Sequence, residues 1–232
     1  MSKEKDVITC KVVLLGESGV GKTSIIQRYI NNIFNPSISS TGGANFISKT
    51  MYFEEEKQNI RFEIWDTAGQ EKYRSLAKVF YKDASVCVLV YDLTRRESFE
   101  ELSKFWIGEI KNSVCCEVCK FLILIILILS IVFAVVGNKS DDYENEKISD
   151  EEGMDLAKQI NAIFQRTSAK HASGIDELFK EIGKHFLNPN LAITSNLSKK
   201  ELKEKNHRIQ IEEIKNENKK NKYLLNIIYY IL

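Results

Sequence analysis

The segment GESGVGKT, residues 16–23, sets three glycines, a lysine and a hydroxyl at the spacing G-x-x-x-x-G-K-[ST]. These residue types act together. Gly16, Gly19 and Gly21 let the backbone turn tightly, so that successive N–H groups point inward and cradle phosphate oxygens. A helix following the loop adds its positive N-terminal end. Lys22 supplies a point charge to the outer phosphates, and the Thr23 hydroxyl a ligand for magnesium. A second constellation, NKSD (138–141), selects a base. The two carboxylate oxygens of Asp141 match the paired N–H donors on the edge of guanine. Adenine lacks that pair and would leave the carboxylate unsatisfied, which is how buried polar sites discriminate strongly. The chemistry expected is binding of a magnesium–guanine nucleotide.

Such groups must be held by elements, and the hydrophobic pattern supplies them. CKVVLLG (10–16) is a short β-branched run ending at a glycine, the pattern of a strand buried on both faces. A helix from Thr23 to about Asn31 follows. NIRFEIWDT (59–67) alternates Ile60, Phe62 and Ile64 with polar partners and reads as a half-buried strand. SVCVLVYD (85–92), IVFAVVGN (131–138) and IFQRTSA (163–169) read as further strands. Phe99, Leu102, Phe105, Trp106 and Ile110 recur at helical spacing over about 97–112, and Ile175, Leu178, Phe179, Ile182 and Phe186 do so near the end of this pattern. Strands alternating with helices predict an α/β fold with a largely parallel sheet, in which ligands sit at the carboxyl ends of strands. Both NKSD and TSAK (167–170) lie at such ends.

Bulk composition agrees with a cytoplasmic globular domain. The chain has 232 residues, 44% hydrophobic and 28% charged, with a net charge of +1 that gives no electrostatic footprint for nucleic acid. Five cysteines show no disulfide-framework spacing; Cys10 and Cys87 sit in strand patterns and read as buried apolar residues. Cys115, Cys116 and Cys119 lack a fourth ligand for zinc. His171, His185 and His207 read as surface or tail residues without catalytic partners.

Together with WDTAGQE (65–71), these motifs resemble the Ras superfamily of small GTPases, and LVYDLT (89–94), FYKDA (80–84) and WDTAGQEKYRSL resemble its Rab family, most of all the endosomal members. The resemblance implies a three-layer G domain, a six-stranded, mostly parallel sheet with helices on both faces. It implies slow GTP hydrolysis and a switch between GTP and GDP states on the cytosolic face of endosomal or other endomembranes. Its partners would be an exchange factor, a GTPase-activating protein and effectors, with the chain itself monomeric. The implied nucleotide-binding residues are Gly16, Glu17, Ser18, Gly19, Val20, Gly21, Lys22, Thr23 and Ser24 in the phosphate loop; Phe34 beside the base; Asn138, Lys139 and Asp141; and Ser168, Ala169 and Lys170. Thr41 matches the switch I threonine that joins Thr23 and Asp66 around magnesium. Gln70 would orient the hydrolytic water and the Gly69 amide would meet the γ-phosphate. Phe46, Trp65 and Phe80 match an aromatic trio offered to effectors.

Three features depart from that pattern. Switch I reads Thr41-Gly42-Gly43, and the second glycine raises the entropy lost on ordering the loop by up to ~1 kcal/mol. Residues 114–130, VCCEVCKFLILIILILS, intervene where the family has a short loop. A membrane span needs about twenty apolar residues; the uncharged run Phe121–Val136 has sixteen, and its last part, Ile131–Val136, is required by the strand that carries Asn138. The segment is therefore expected to be a lineage-specific insertion or a retained intron translated in frame, with the intron favoured. Finally, no cysteine follows Cys119, so lipid anchoring is not expected from the chain as written. The domain organisation expected is a G domain over 1–187 and a poorly ordered basic tail over 188–232, which holds nine basic and five acidic residues.

Overall fold

A computed structural model describes residues 7–39, 41–67, 69, 83–108, 131–189 and 191. The chain divides into two compact units, Met1–Ala192 and Ile193–Leu232, and all described residues belong to the first. The insertion at 114–130 with its cysteines, Gln70, Phe80 and the tail beyond Leu191 lie outside the described residues. Among the described residues no helix is long and apolar enough to cross a membrane.

In chain order the elements are β1 (Val7–Leu15), α1 (Lys22–Asn31), β2 (Ala44–Phe53), β3 (Gln58–Thr67), β4 (Val86–Asp92), α2 (Arg96–Glu101), β5 (Val132–Asn138), α3 (Asp150–Gln159), β6 (Ile163–Thr167) and α4 (Ile175–Leu187). After Glu101 the helix widens into a π-helical turn over Leu102–Trp106. The six strands lie in the order β2-β3-β1-β4-β5-β6. Among these six strands only the β2–β3 pairing is antiparallel.

Alternation along the central strands divides the core between the two faces of the sheet. Val86, Val88 and Val90 point to one face, with Val12, Leu14 and Ala134, and meet Ile25 and Tyr29 of α1 and Leu178, Phe179 and Ile182 of α4. Cys87, Leu89 and Tyr91 point to the other, with Val13 and Val135, and meet Phe99 and Trp106 on the α2 side and Leu156 of α3. Strand β4 is buried at every position. This explains its unbroken apolar run, because a strand covered by helices on both sides has no solvent face to mark with polar residues. Each such side chain contributes about 1.5–3 kcal/mol on burial.

Strand β5 pairs with β4 from Val132 to Asn138 and with β6 from Ala134 to Asn138. The last residues of the apolar run 121–136 thus belong to the middle of the sheet. Two elements carry no strong apolar pattern. Strand β2 is an edge strand with mostly exposed or half-exposed residues. Helix α3 starts at a capping box: the Ser149 hydroxyl accepts from the Glu152 amide, and the Glu152 carboxylate accepts from the Ser149 amide. One expectation is corrected here. His185 is buried rather than superficial, with Nδ1 2.9 Å from the Glu181 carbonyl one turn earlier in α4.

Candidate nucleotide site

The phosphate loop links the buried end of β1 to the first turn of α1. Lys22 opens that helix, yet its side chain is only 5% exposed, because it folds back over the loop. Nζ donates to the carbonyls of Gly16 and Glu17, both at 2.9 Å. Burial of the ammonium lowers its pKa from 10.5 to about 8, partly offset by the Asp66 and Glu17 carboxylates. An ammonium held this way lacks a full counter-charge, and a polyphosphate would supply one. Gly21 has φ +97°, and a Cβ there would lie 2.3 Å from Asn138 Nδ2, so the position admits no side chain. Val20 is fully buried in the core and offers the site only its backbone.

Three oxygen-bearing side chains from separate elements meet beside the lysine. Thr23 Oγ1 donates to Asp66 Oδ2 at 2.7 Å, and Thr41 Oγ1 lies 2.8 Å from Thr23 Oγ1 and 3.5 Å from Asp66 Oδ2. Asp66, at the end of β3, is 3% exposed, and burial raises its pKa against the pull of Thr23 and Lys22. Its second oxygen, Oδ1, is buried with no hydrogen-bond partner among the described residues. Two hydroxyls and a half-satisfied carboxylate suit a hard, oxygen-seeking divalent cation. Gly69 closes this end: a Cβ there would lie 2.5 Å from the Glu17 carbonyl and from Lys22 Nζ.

The other end is built by the β5 and β6 termini. Asn138 is 1% exposed; its Nδ2 donates to the Val20 carbonyl at 2.8 Å and its Oδ1 accepts from Thr167 Oγ1 at 3.1 Å. One amide thus ties the phosphate loop to two strands. Lys139 takes a left-handed backbone, φ +69°, and its Nζ lies 2.6 Å from Asp92 Oδ2. Asp141 Oδ1 accepts from Ser168 Oγ at 2.5 Å, and Lys170 Nζ stands 3.7 Å from Oδ2. Arg28 of α1 grips the TSAK loop by donating to the carbonyls of Ala169 and Lys170.

Both ends line one cleft of about 470 Å³. Ser18, Gly19, Gly21, Lys22, Thr23, Ser24, Thr41 and Gly69 face it at one end; Asn138, Lys139, Asp141, Ala169 and Lys170 face it at the other, with Phe34 also on its wall. Gly16, Glu17, Val20 and Ser168 stand behind that lining. Residues 11–188 match the family model described as Ras family. The chain belongs to the Ras family. It is 40% identical over 174 residues to Ras-related protein Rab-22A of Mus musculus, and equally to that of Homo sapiens, covering 75% of this chain and 81% of each relative. It is 38% identical over 177 residues to Ras-related protein RabJ of Dictyostelium discoideum, covering 76% of this chain and 63% of that one. The chain is thus a Rab-type small GTPase, an enzyme that hydrolyses GTP and serves membrane traffic.

In this GTPase several neighbours of the cleft escape sequence reasoning. Asn35, Pro36, Ile38 and Ser39 extend its wall beyond Phe34. Asp92 is 3% exposed; Oδ1 accepts from the Thr94 amide at 2.9 Å and hydroxyl at 2.7 Å, leaving Oδ2 for Lys139. The signal available was an acidic residue ending a fully apolar strand, a buried charge that must find a cation. Phe46 and Trp65 face each other across the β2–β3 pair with ring centroids 5.1 Å apart, and Phe46 is 46% exposed. At Gly42 and Gly43 a Cβ would meet nothing within 4 Å; Gly43 is needed for its backbone, φ +124°, rather than for space.

Proposed function

We propose that this chain is a magnesium-dependent guanine-nucleotide switch of endosomal or related endomembranes. The observation that carries the reading is the meeting of Thr23, Thr41 and Asp66 beside Lys22, at the mouth of a cleft whose far end holds Asp141. Thr23, Thr41 and Asp66 would hold the cation, which would neutralise charge on the phosphate oxygens during transfer to water.

The remaining work falls to the chain itself. Lys22 pairs with the outer phosphates, and the loop amides and the α1 N-terminus receive their oxygens. Gly69, packed on the Glu17 peptide, brings its amide to the γ-phosphate side. Asp141 reads the base edge, Lys139 covers the ring, Ala169 meets the carbonyl of guanine, and Phe34 stacks near the base. Gln70 is the proposed orienting group for the attacking water. Little covalent chemistry is required, so positioning and charge neutralisation carry the rate.

Two arginines that follow β4 are already engaged. Arg95 binds Glu17 and Ser18, and Arg96 lies 2.6 Å from Glu152. Unaided hydrolysis should therefore be slow, rising by ~10³ to 10⁵ when a partner supplies an arginine. Loss of the γ-phosphate would release Thr41 and Gly69 together, giving exchange factors, activating proteins and effectors two forms to distinguish. Phe46 and Trp65, with Phe80, would form the effector-facing patch.

The test is base exchange. Asp141→Asn should lower GTP affinity by about 100-fold and favour xanthosine triphosphate, because one acceptor oxygen becomes an N–H donor that clashes with the guanine 2-amino group and matches the xanthine 2-carbonyl. Competition binding against a fluorescent guanine nucleotide measures both, and an unchanged preference for GTP would remove the base-site assignment.

A further inference from the structure

The outer turn of the phosphate loop carries an ion pair that the nucleotide reading does not use. Glu17 is held at both ends. Its carbonyl accepts from Lys22 Nζ at 2.9 Å, and its carboxylate Oε2 accepts from Arg95 NH2 at 3.0 Å. The same guanidinium nitrogen donates to the Ser18 carbonyl at 2.7 Å. Arg95 precedes α2, 77 positions from Ser18, so the contact ties the end of the β4 loop across the phosphate loop. Gly69 packs on the Glu17 peptide from the other side, since a Cβ there would lie 2.5 Å from Glu17 C, Glu17 O and Lys22 Nζ alike.

A carboxylate at this place opposes the task of the loop. It stands one residue from Ser18 and beside the buried ammonium that receives phosphates, where an uncompensated negative charge repels a polyanion. Glu17 and Arg95 act on the Lys22 ammonium in opposite senses, the carboxylate favouring its charge and the guanidinium opposing it. The two N–H groups of one guanidinium nitrogen diverge at a fixed angle in the plane of the group, one toward the carboxylate and one toward the carbonyl, a geometry that a freely rotating lysine ammonium holds less firmly.

We propose that Arg95 is a positioning residue of the phosphate site: it cancels the Glu17 charge and pins the turn on which Lys22 and Gly69 rest. This rests on the nucleotide-site reading above. Nucleoside triphosphate, with one more charge than diphosphate, should feel the pair more.

The experiment measures GTP and GDP affinity and dissociation rates on the full chain with magnesium at two salt concentrations. Arg95→Ala should weaken GTP binding by about fivefold and GDP binding less, the scale of a pair whose side chains are each about one-third exposed. Arg95→Lys should recover part of the loss. The decisive variant is Glu17→Gln combined with Arg95→Ala: with the unbalanced carboxylate gone, it should bind GTP more tightly than Arg95→Ala alone. A purely structural brace predicts the reverse, and so does additivity of two losses. Arg95→Gln keeps the length of the stem and serves where alanine disturbs folding, with the same ordering expected. Equal affinities for Arg95→Ala and the unaltered chain, or a double variant weaker than the single one, overturn the proposal. If the unaltered chain binds no guanine nucleotide, the site reading itself has failed, and that result is distinct from either.

Discussion

The buried Lys22 ammonium makes nucleotide binding a proton-linked event. In the free chain its pKa falls from 10.5 to about 8, chiefly through burial. At roughly 1.4 kcal/mol per unit, that places a net penalty of about 3 kcal/mol on the charged form in the nucleotide-free site, burial outweighing the Asp66 and Glu17 carboxylates. The sign follows from proton counting. Between about pH 8 and 10.5 the unfolded chain holds a proton that the folded free chain has lost. Stability of the free chain therefore rises with pH across that window, and the whole penalty is present below pH 8. Bound phosphates restore the charge, so binding above pH 8 draws a proton from solution. Affinity for GDP should fall by about tenfold between pH 7 and 9, with proton uptake of about 0.1 per nucleotide at pH 7, half at pH 8 and 0.9 at pH 9. Calorimetry in two buffers of different ionisation enthalpy counts those protons, at constant salt and saturating magnesium. A flat affinity between pH 7 and 9 with no uptake would refute the argument that Lys22 waits in the cleft as a desolvated cation.

Two further outcomes follow from the same geometry. Asp66→Ala should abolish the dependence of GDP release on magnesium: chelation should speed release from the unaltered chain by at least about tenfold and leave the variant unaffected, as a fluorescent-nucleotide chase would show. Asp92→Asn should free Lys139 and speed release of GDP and GTP alike by about tenfold, since the Lys139 ammonium loses the buried carboxylate that holds it; in a double-mutant cycle with Lys139→Ala the two losses should not add, whereas additive losses would mean that Asp92 acts elsewhere.

Five strands were legible, β1, β4 and β5 as apolar runs and β3 from its alternation, with β6 a shorter mixed segment, and the observed strands begin or end within a few residues of those readings. The sixth, β2, came only from the resemblance, because an edge strand with one wet face and polar neighbours leaves a weak alternation. Helix α3 was missed although Ser149 and Glu152 stand three apart at its start, a cue carried by two polar residues rather than by an apolar stripe. His185 was misjudged for a related reason: a polar side chain among charged ones hides that its place on α4 turns inward.

By itself the sequence determined the local parts: the loop that folds for phosphate, the carboxylate two residues after Lys139, and strands buried on both faces. Such features need only neighbouring residues, whose types are dictated by backbone turns, strand periodicity and donor pairing. What only the tertiary structure decided was which distant groups meet. Thr23 and Asp66 are 43 positions apart, and Arg95 and Glu17 78. They touch because β1 lies between β3 and β4, which sets the carboxyl ends of all three side by side. No local pattern encodes that order, because it arises when both apolar faces of the sheet are covered at once. The buried carboxylates left at the strand ends then take the partners the packing delivers, Lys139 for Asp92 and the Thr23 hydroxyl for one oxygen of Asp66.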